Sequence, residues 1–249
     1  MKSIYLIVLI MIFCSCNHER DGHQKPTILS YFIKTTQFEK SGVDEVLNYY
    51  GGYCYYSKGV EYSTDKPNLK YFELEISKSE IFDTQVKNFF IASSNVAYLF
   101  YKNIRNYDHG YQEIHVSIKS NNKEVEKASF KIEELELIYM NQNKLMGFVN
   151  LFANKKYDKI LNLIDSTSSF GTSNKQNLKQ IFVETDSIFG EININNPFQF
   201  AGFKSQSNNF EIVRYYGILI RAIKNCEFSI DFSNTKKDTL INAFDYKYY

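Results

Sequence analysis

The chain has 249 residues, 29 Lys and Arg against 28 Asp and Glu, and 44% hydrophobic residues. That length allows one large domain or two small ones with real cores, and the apolar content excludes wholesale disorder. A formal charge of +1 supplies no basic field for nucleic acid and no acidic tail for cationic partners.

In chain order, Met1 to Cys16 comes first. Lys2 gives a short positive start, and Ile4 to Phe13 is an unbroken apolar run. A membrane span needs about 20 apolar residues, whereas a secretory signal core needs only about 7–15. The run therefore reads as a signal rather than a span. Its end, Phe13-Cys14-Ser15-Cys16, resembles the bacterial lipoprotein signal, in which a cysteine follows a small residue and an aliphatic residue stands three places before it. Ser15 fits, and Phe13 departs from the usual Leu. The resemblance implies diacylglycerol on the Cys16 thiol, cleavage before Cys16, and a mature protein held on a membrane by lipid. It also implies the outer membrane, because Asn17 is not the acidic residue associated with inner-membrane retention. Two or more acyl chains are needed for stable anchoring.

Residues 17–30 are expected to form a flexible tether, since Asn17 to Pro26 holds no apolar side chain. His18 and His23 lie there without a Cys or carboxylate framework, so no metal site is expected.

The folded part is expected to be α+β, in two modules at residues 31–140 and 141–249. Each is a mainly antiparallel sheet packed against helices. Phe38 to Tyr50 has helical spacing and stops at Gly51-Gly52. Tyr53 to Tyr62 is an aromatic strand. In Leu69 to Ser77, Phe72, Leu74 and Ile76 alternate with Glu73 and Glu75, as in a strand with one wet face. Ser94 to Ile104 is helical again. Tyr111 to Ser120 alternates through Ile114, Val116 and Ile118, and Asn121-Asn122 turns it into a partner continuing through Ala128, Phe130 and Ile132.

The second module places its helices first: Leu145 to Phe152, Tyr157 to Ile164 and Asn174 to Phe189. Strands are expected over Glu191–Phe203, Phe210–Arg221, Cys226–Phe232 and Thr239–Tyr248. The segments Phe148-Val149-Asn150-Leu151-Phe152 and Lys155 to Ile160, followed by four strands, resemble the cystatin-like or nuclear-transport-factor-2-like α+β roll. That resemblance implies a pocket between the sheet and its helices, for which Tyr157, Phe182, Phe200 and Tyr215 are the candidates.

Chemistry is thinly signposted. All four histidines lie at 18, 23, 109 and 115, so the second module has none. Asp158, Asp165, Glu184 and Asp186 could act as bases, but no partner is evident from spacing. No catalytic residue, metal or cofactor is therefore assigned. His109 reads as a turn residue and His115 as a surface histidine between Glu113 and Ser117. Cys54 and Cys226 could form a disulfide in an exported protein, or stay as buried thiols. The run Tyr49 to Tyr56 is the most unusual local feature. Tyr53, Tyr55 and Tyr56 are candidates for an interface, set against a two-faced strand whose tyrosines alternate between core and surface.

Together these point to a non-catalytic, membrane-anchored envelope lipoprotein that acts as a binding or scaffold module, with an envelope protein as partner. A small-ligand-binding or weakly catalytic roll is one alternative. An inhibitor or immunity-type lipoprotein that binds a secreted partner is the other.

Overall fold

A computed structural model describes residues 23–24, 34–62, 67–166, 175–206, 211–233 and 241–247. Helix α1 (Gln37–Tyr50) starts on a capping box. The Thr36 hydroxyl accepts the Glu39 N–H at 3.2 Å, and Glu39 accepts the Thr36 N–H at 2.7 Å. Strand β1 is only His23–Gln24, paired parallel to β2 (Tyr53–Glu61) opposite Tyr55 and Tyr56. Strand β3 (Leu69–Ser77) is antiparallel to β2. Two helices follow, α2 (Glu80–Thr84) and α3 (Phe89–Ile104), then β4 (Glu113–Ser120) and β5 (Lys123–Lys131). Asn121 and Asn122 join these two strands with φ of 50° and 64°, as a two-residue hairpin turn requires.

The first sheet runs β1-β2-β3-β4-β5, and one central pair departs from expectation: β3 and β4 are parallel. The chain between them carries α2 and α3, so it crosses over instead of turning back, and a crossover returns a parallel strand.

The second sheet follows α4 (Ile132–Ala153), α5 (Tyr157–Leu163) and α6 (Lys175–Phe189). Its strands are β6 (Phe198–Ser205), β7 (Ile212–Leu219), β8 (Cys226–Ser233) and β9 (Ile241–Lys247), antiparallel in that order. The molecule is thus α+β with two sheet modules. The boundary expected at residue 141 falls inside α4, a continuous helix of 22 residues. Leu135, Ile138, Leu145, Phe148, Val149 and Phe152 form one buried stripe along it, and Asn141 is a buried polar member of that stripe rather than a break.

The two modules are joined through α3. Every residue from Ile91 to Tyr101 is buried, as expected of a helix enclosed on all sides. It lies against β4 and β5 on one side and β6 on the other. The Ser94 Oγ accepts the Phe203 N–H at 2.8 Å, and Tyr49 donates its hydroxyl to the Phe200 carbonyl at 3.0 Å. Phe72, Leu74, Ile76, Ile114, Val116, Ile118 and Phe130 fill the inner face of the first sheet. In the second module Phe148 stacks on Phe228, and Phe182 meets both Phe152 and Phe244. These residues form one contiguous core across both modules.

Candidate functional site

The inner face of the first sheet is occupied by α1 and α3, so its side-chain alternation leaves a second, polar face. Cross-strand register assembles that outer face in rows: Tyr55, Glu75, Ser117 and Lys127; Ser57, Glu73, His115 and Ser129; Gly59, Tyr71, Glu113 and Lys131. Tyr71 leans over Gly59, where a Cβ would come within 2.1 Å of its ring. The same ring stacks on His115 at 4.1 Å and 11°. His115 Nε2 lies 2.9 Å from a Glu113 carboxylate oxygen, and Ser57 donates to Glu73 at 2.8 Å. Lys119 pairs with Glu75, and Ser117 donates to Glu124 at 2.9 Å. Donors, acceptors and an aromatic surface therefore share one half-exposed face.

At one end of this sheet the carboxyl ends of the parallel pair, Ser77 and Ser120, border an open depression of about 450 Å³. Lys78, Glu80, Asp83, Thr84, Asn121 and Asn122 line it. Asp83 accepts the Asn121 N–H at 2.8 Å, and the Lys78 ammonium sits 5.0 Å from the centre of the Tyr53 ring. Open sheets commonly bind ligands beyond strand carboxyl ends. Among the described residues, no group of three or more His, Cys, Asp or Glu is placed to hold a metal.

The tyrosines of β2 divide as a two-faced strand must. Tyr53 and Tyr55 belong to the outer face, whereas Tyr56 turns inward and stacks on Phe72 at 5.7 Å. The three do not form one surface. Two of the tether's residues, His23 and Gln24, are not loose but pair with this strand, opposite Tyr55 and Tyr56. Cys16 lies outside the described residues.

The four aromatic residues expected to line a pocket are packed instead. Tyr157 contacts Phe182 at 5.5 Å between ring centres, and Phe200 contacts Tyr215 at 6.5 Å. Phe152 and Tyr98 fill in beside the two pairs. They are two aromatic pairs of the core, where a sheet face rich in Phe and Tyr meets equally aromatic helices. The disulfide is absent too. Cys54 and Cys226 are both thiols, one on the inner face of each sheet.

Two ionic clusters were not evident from spacing. Asp186 of α6, which sequence leaves without a partner, meets the buried Arg221 at 2.7 Å and also accepts the Tyr157 hydroxyl. Arg221 also donates to the Gly190 carbonyl at 2.8 Å. Beside it, burial pushes the Cys226 thiol up, against the lowering effect of the guanidinium. The second cluster is Glu39, which is almost fully buried and pairs with Lys58 at 2.8 Å while accepting the Tyr111 hydroxyl. Burial pushes the Glu39 carboxyl up, but the bonds from Lys58, Tyr111 and the Thr36 N–H outweigh it and hold it below its ordinary value. The only sequence signal for the first cluster was an arginine closing an apolar run. For the second it was the T-x-x-E capping pattern. Of the other three bases considered, Asp158 pairs with Lys179, and Glu184 accepts from Gln180 at 2.8 Å. Asp165 is buried after α5. These are structural contacts, and neither cluster opens onto the outer face.

No family model, curated protein or solved structure matches the chain.

Proposed function

We propose that the chain is a non-catalytic lipoprotein of the bacterial cell envelope, anchored in the outer membrane through lipid on Cys16, whose first sheet presents its outer face to an envelope protein. The observation that carries the binding role is the face itself. It is polar and half-exposed, with Tyr71, Glu113 and His115 on its central strands and Tyr53 and Tyr55 along one side. Tyrosine with flanking carboxylates and hydroxyls suits protein recognition, since it brings apolar area and a hydrogen-bonding tip together. The signal-like segment and neutral charge support the anchor, because a neutral surface has no electrostatic hold on an anionic leaflet. Among the described residues, no helix is long and apolar enough to cross a membrane.

Cys16→Ser should move the protein from the membrane fraction to the soluble fraction. Unchanged fractionation without acyl label would reject the lipoprotein reading. For the binding face, a photoreactive amino acid at Tyr71 or His115 should yield a discrete cross-linked adduct in cells. The same group at Val125, on the opposite edge strand, should not. Adducts of equal yield at all three positions, or none at any, would reject the outer face as the binding surface.

A further inference from the structure

The pairing of β1 with β2 bears on how the anchored protein sits. His23 lies opposite Tyr55, so the chain joins the first sheet there, beside β2. Six residues separate Cys16 from His23, and the seven Cα-to-Cα steps between them span at most about 25 Å when fully extended. With acyl chains on Cys16, His23 is held within that distance of the bilayer, and β2 one strand spacing, about 5 Å, beyond it. The opposite edge, β5, lies three strand spacings further across, or about 15 Å.

The residues exposed along the near edge suit a lipid interface. Tyr55 is 36% exposed, Val60 41% and Tyr62 80%. Tyrosine is enriched at the headgroup level of membranes, where its ring meets acyl chains and its hydroxyl meets water. Near this edge Lys58 is paired with Glu39 and Lys78 covers Tyr53, while Glu61, exposed between Val60 and Tyr62, limits the contact to the headgroup level. By contrast, β5 carries Lys123, Glu124, Glu126 and Lys127 around the exposed Val125 and presents a mainly charged edge to water.

We propose that the β2 edge rests against the phospholipid headgroups, with Val60 and Tyr62 at the contact, so that the outer face stands upright beside the membrane and open to a partner. The proposal rests on acylation of Cys16. Its test uses the full-length acylated protein in phosphatidylethanolamine–phosphatidylglycerol vesicles that carry a headgroup nitroxide. Val60→Cys and Val125→Cys are labelled separately with a fluorophore. Cys54 and Cys226 are buried, and the Cys16 thiol is consumed by lipid, so labelling is selective. Quenching should be severalfold stronger at position 60 than at position 125. Equal quenching on vesicle-bound protein would overturn the orientation and leave the anchor standing. Stronger quenching at 125 would overturn it too, as when a second copy or another protein covers the β2 edge. Protein that stays in solution would overturn both.

Discussion

Gly202 lies where α3 and β6 meet, and replacing it with Ala tests how the two modules are joined. Its φ is +145°, a region that side chains other than hydrogen rarely adopt. A Cβ there would stand 2.1 Å from the Ile91 carbonyl oxygen, 2.6 Å from Ser94 Oγ and 2.9 Å from Ile91 Cγ2. The first distance is about 1.2 Å short of the closest ordinary carbon–oxygen contact, and a helix carbonyl cannot swing aside as a side chain can. Relief requires α3 and β6 to move apart, which breaks the 2.8 Å bond from the Phe203 N–H to Ser94 Oγ. Overpacking costs about 1–3 kcal/mol, the backbone strain about 1–3, and the lost bond about 1. A loss near 4 kcal/mol is a large share of the roughly 5–15 kcal/mol that holds a domain folded. In urea, with a slope of about 2 kcal/mol per molar, the unfolding midpoint should fall by about 2 M. Circular dichroism is the natural probe, as the chain has no Trp. Gly147→Ala is the matched control. It lies within α4 with nothing within 4 Å of the added methyl, and should stabilise by about 1 kcal/mol. If Gly202→Ala lost less than about 1 kcal/mol, the close approach of α3 and β6 would be refuted, since strain alone accounts for more.

Glu134 is buried in the first turn of α4, and burial pushes its carboxyl up to about 7 from an ordinary 4.5. The folded state then holds its proton more tightly than the unfolded state, so stability falls as pH rises from about 4.5 to 7. Glu134→Gln should match the wild type at pH 5 and exceed it by about 1–2 kcal/mol at pH 8; equal stabilities at both would refute the shift. Arg221→Met leaves Asp186 with only the Tyr157 hydroxyl and should cost about 3 kcal/mol, with Asp186→Asn in the same chain recovering part of it. A single variant as stable as wild type would remove the buried pair from the account. Denatured without reductant, the chain should show Cys54 and Cys226 as two reactive thiols, and reductant should leave the thermal midpoint unchanged.

What could be read from the sequence was local and periodic. β3 matches its expected bounds, because Phe72, Leu74 and Ile76 against Glu73 and Glu75 admit only one strand phase. The α1 helix follows equally from its apolar spacing and the Gly51-Gly52 stop, and the Asn121-Asn122 turn from residues that tolerate positive φ. The failures are long-range. The parallel pairing of β3 and β4 leaves no trace in either strand; only the length of the connection from Lys78 to Gln112 hints at a crossover. Asn141 hid α4 because a polar residue in an apolar stripe looks like a break until the structure shows it buried. The start of α3 was placed five residues late, since Phe89 to Ser93 lacks one-sided periodicity in a helix that is covered on every side. The outer face was half visible. The wet side of β3 and the position of His115 were legible, but the stacking of Tyr71 on His115 and over Gly59 depends on three strands meeting in register.

Long-range contacts also show why the chain adopts one docking of its modules rather than many. An aromatic core alone tolerates sliding, because apolar contact is non-directional. Hydrogen bonds between buried groups do not, since a shift of a few ångströms strands a donor in a dry interior at a cost of about 1–3 kcal/mol. Such bonds lie where distant segments meet. Asn95 donates to the Tyr50 hydroxyl at 2.9 Å and fixes α3 against α1. Ser79 donates to the Tyr50 carbonyl at 2.6 Å and ties the end of α1 to the end of β3. Ser94 with Phe203 and Tyr49 with Phe200 set β6 upon both helices. The inner face of the first sheet is thereby committed to α1 and α3, and the second sheet closes α3 from behind. The other face of that sheet keeps its polar rows half-exposed, so among the described residues the packing is one-sided.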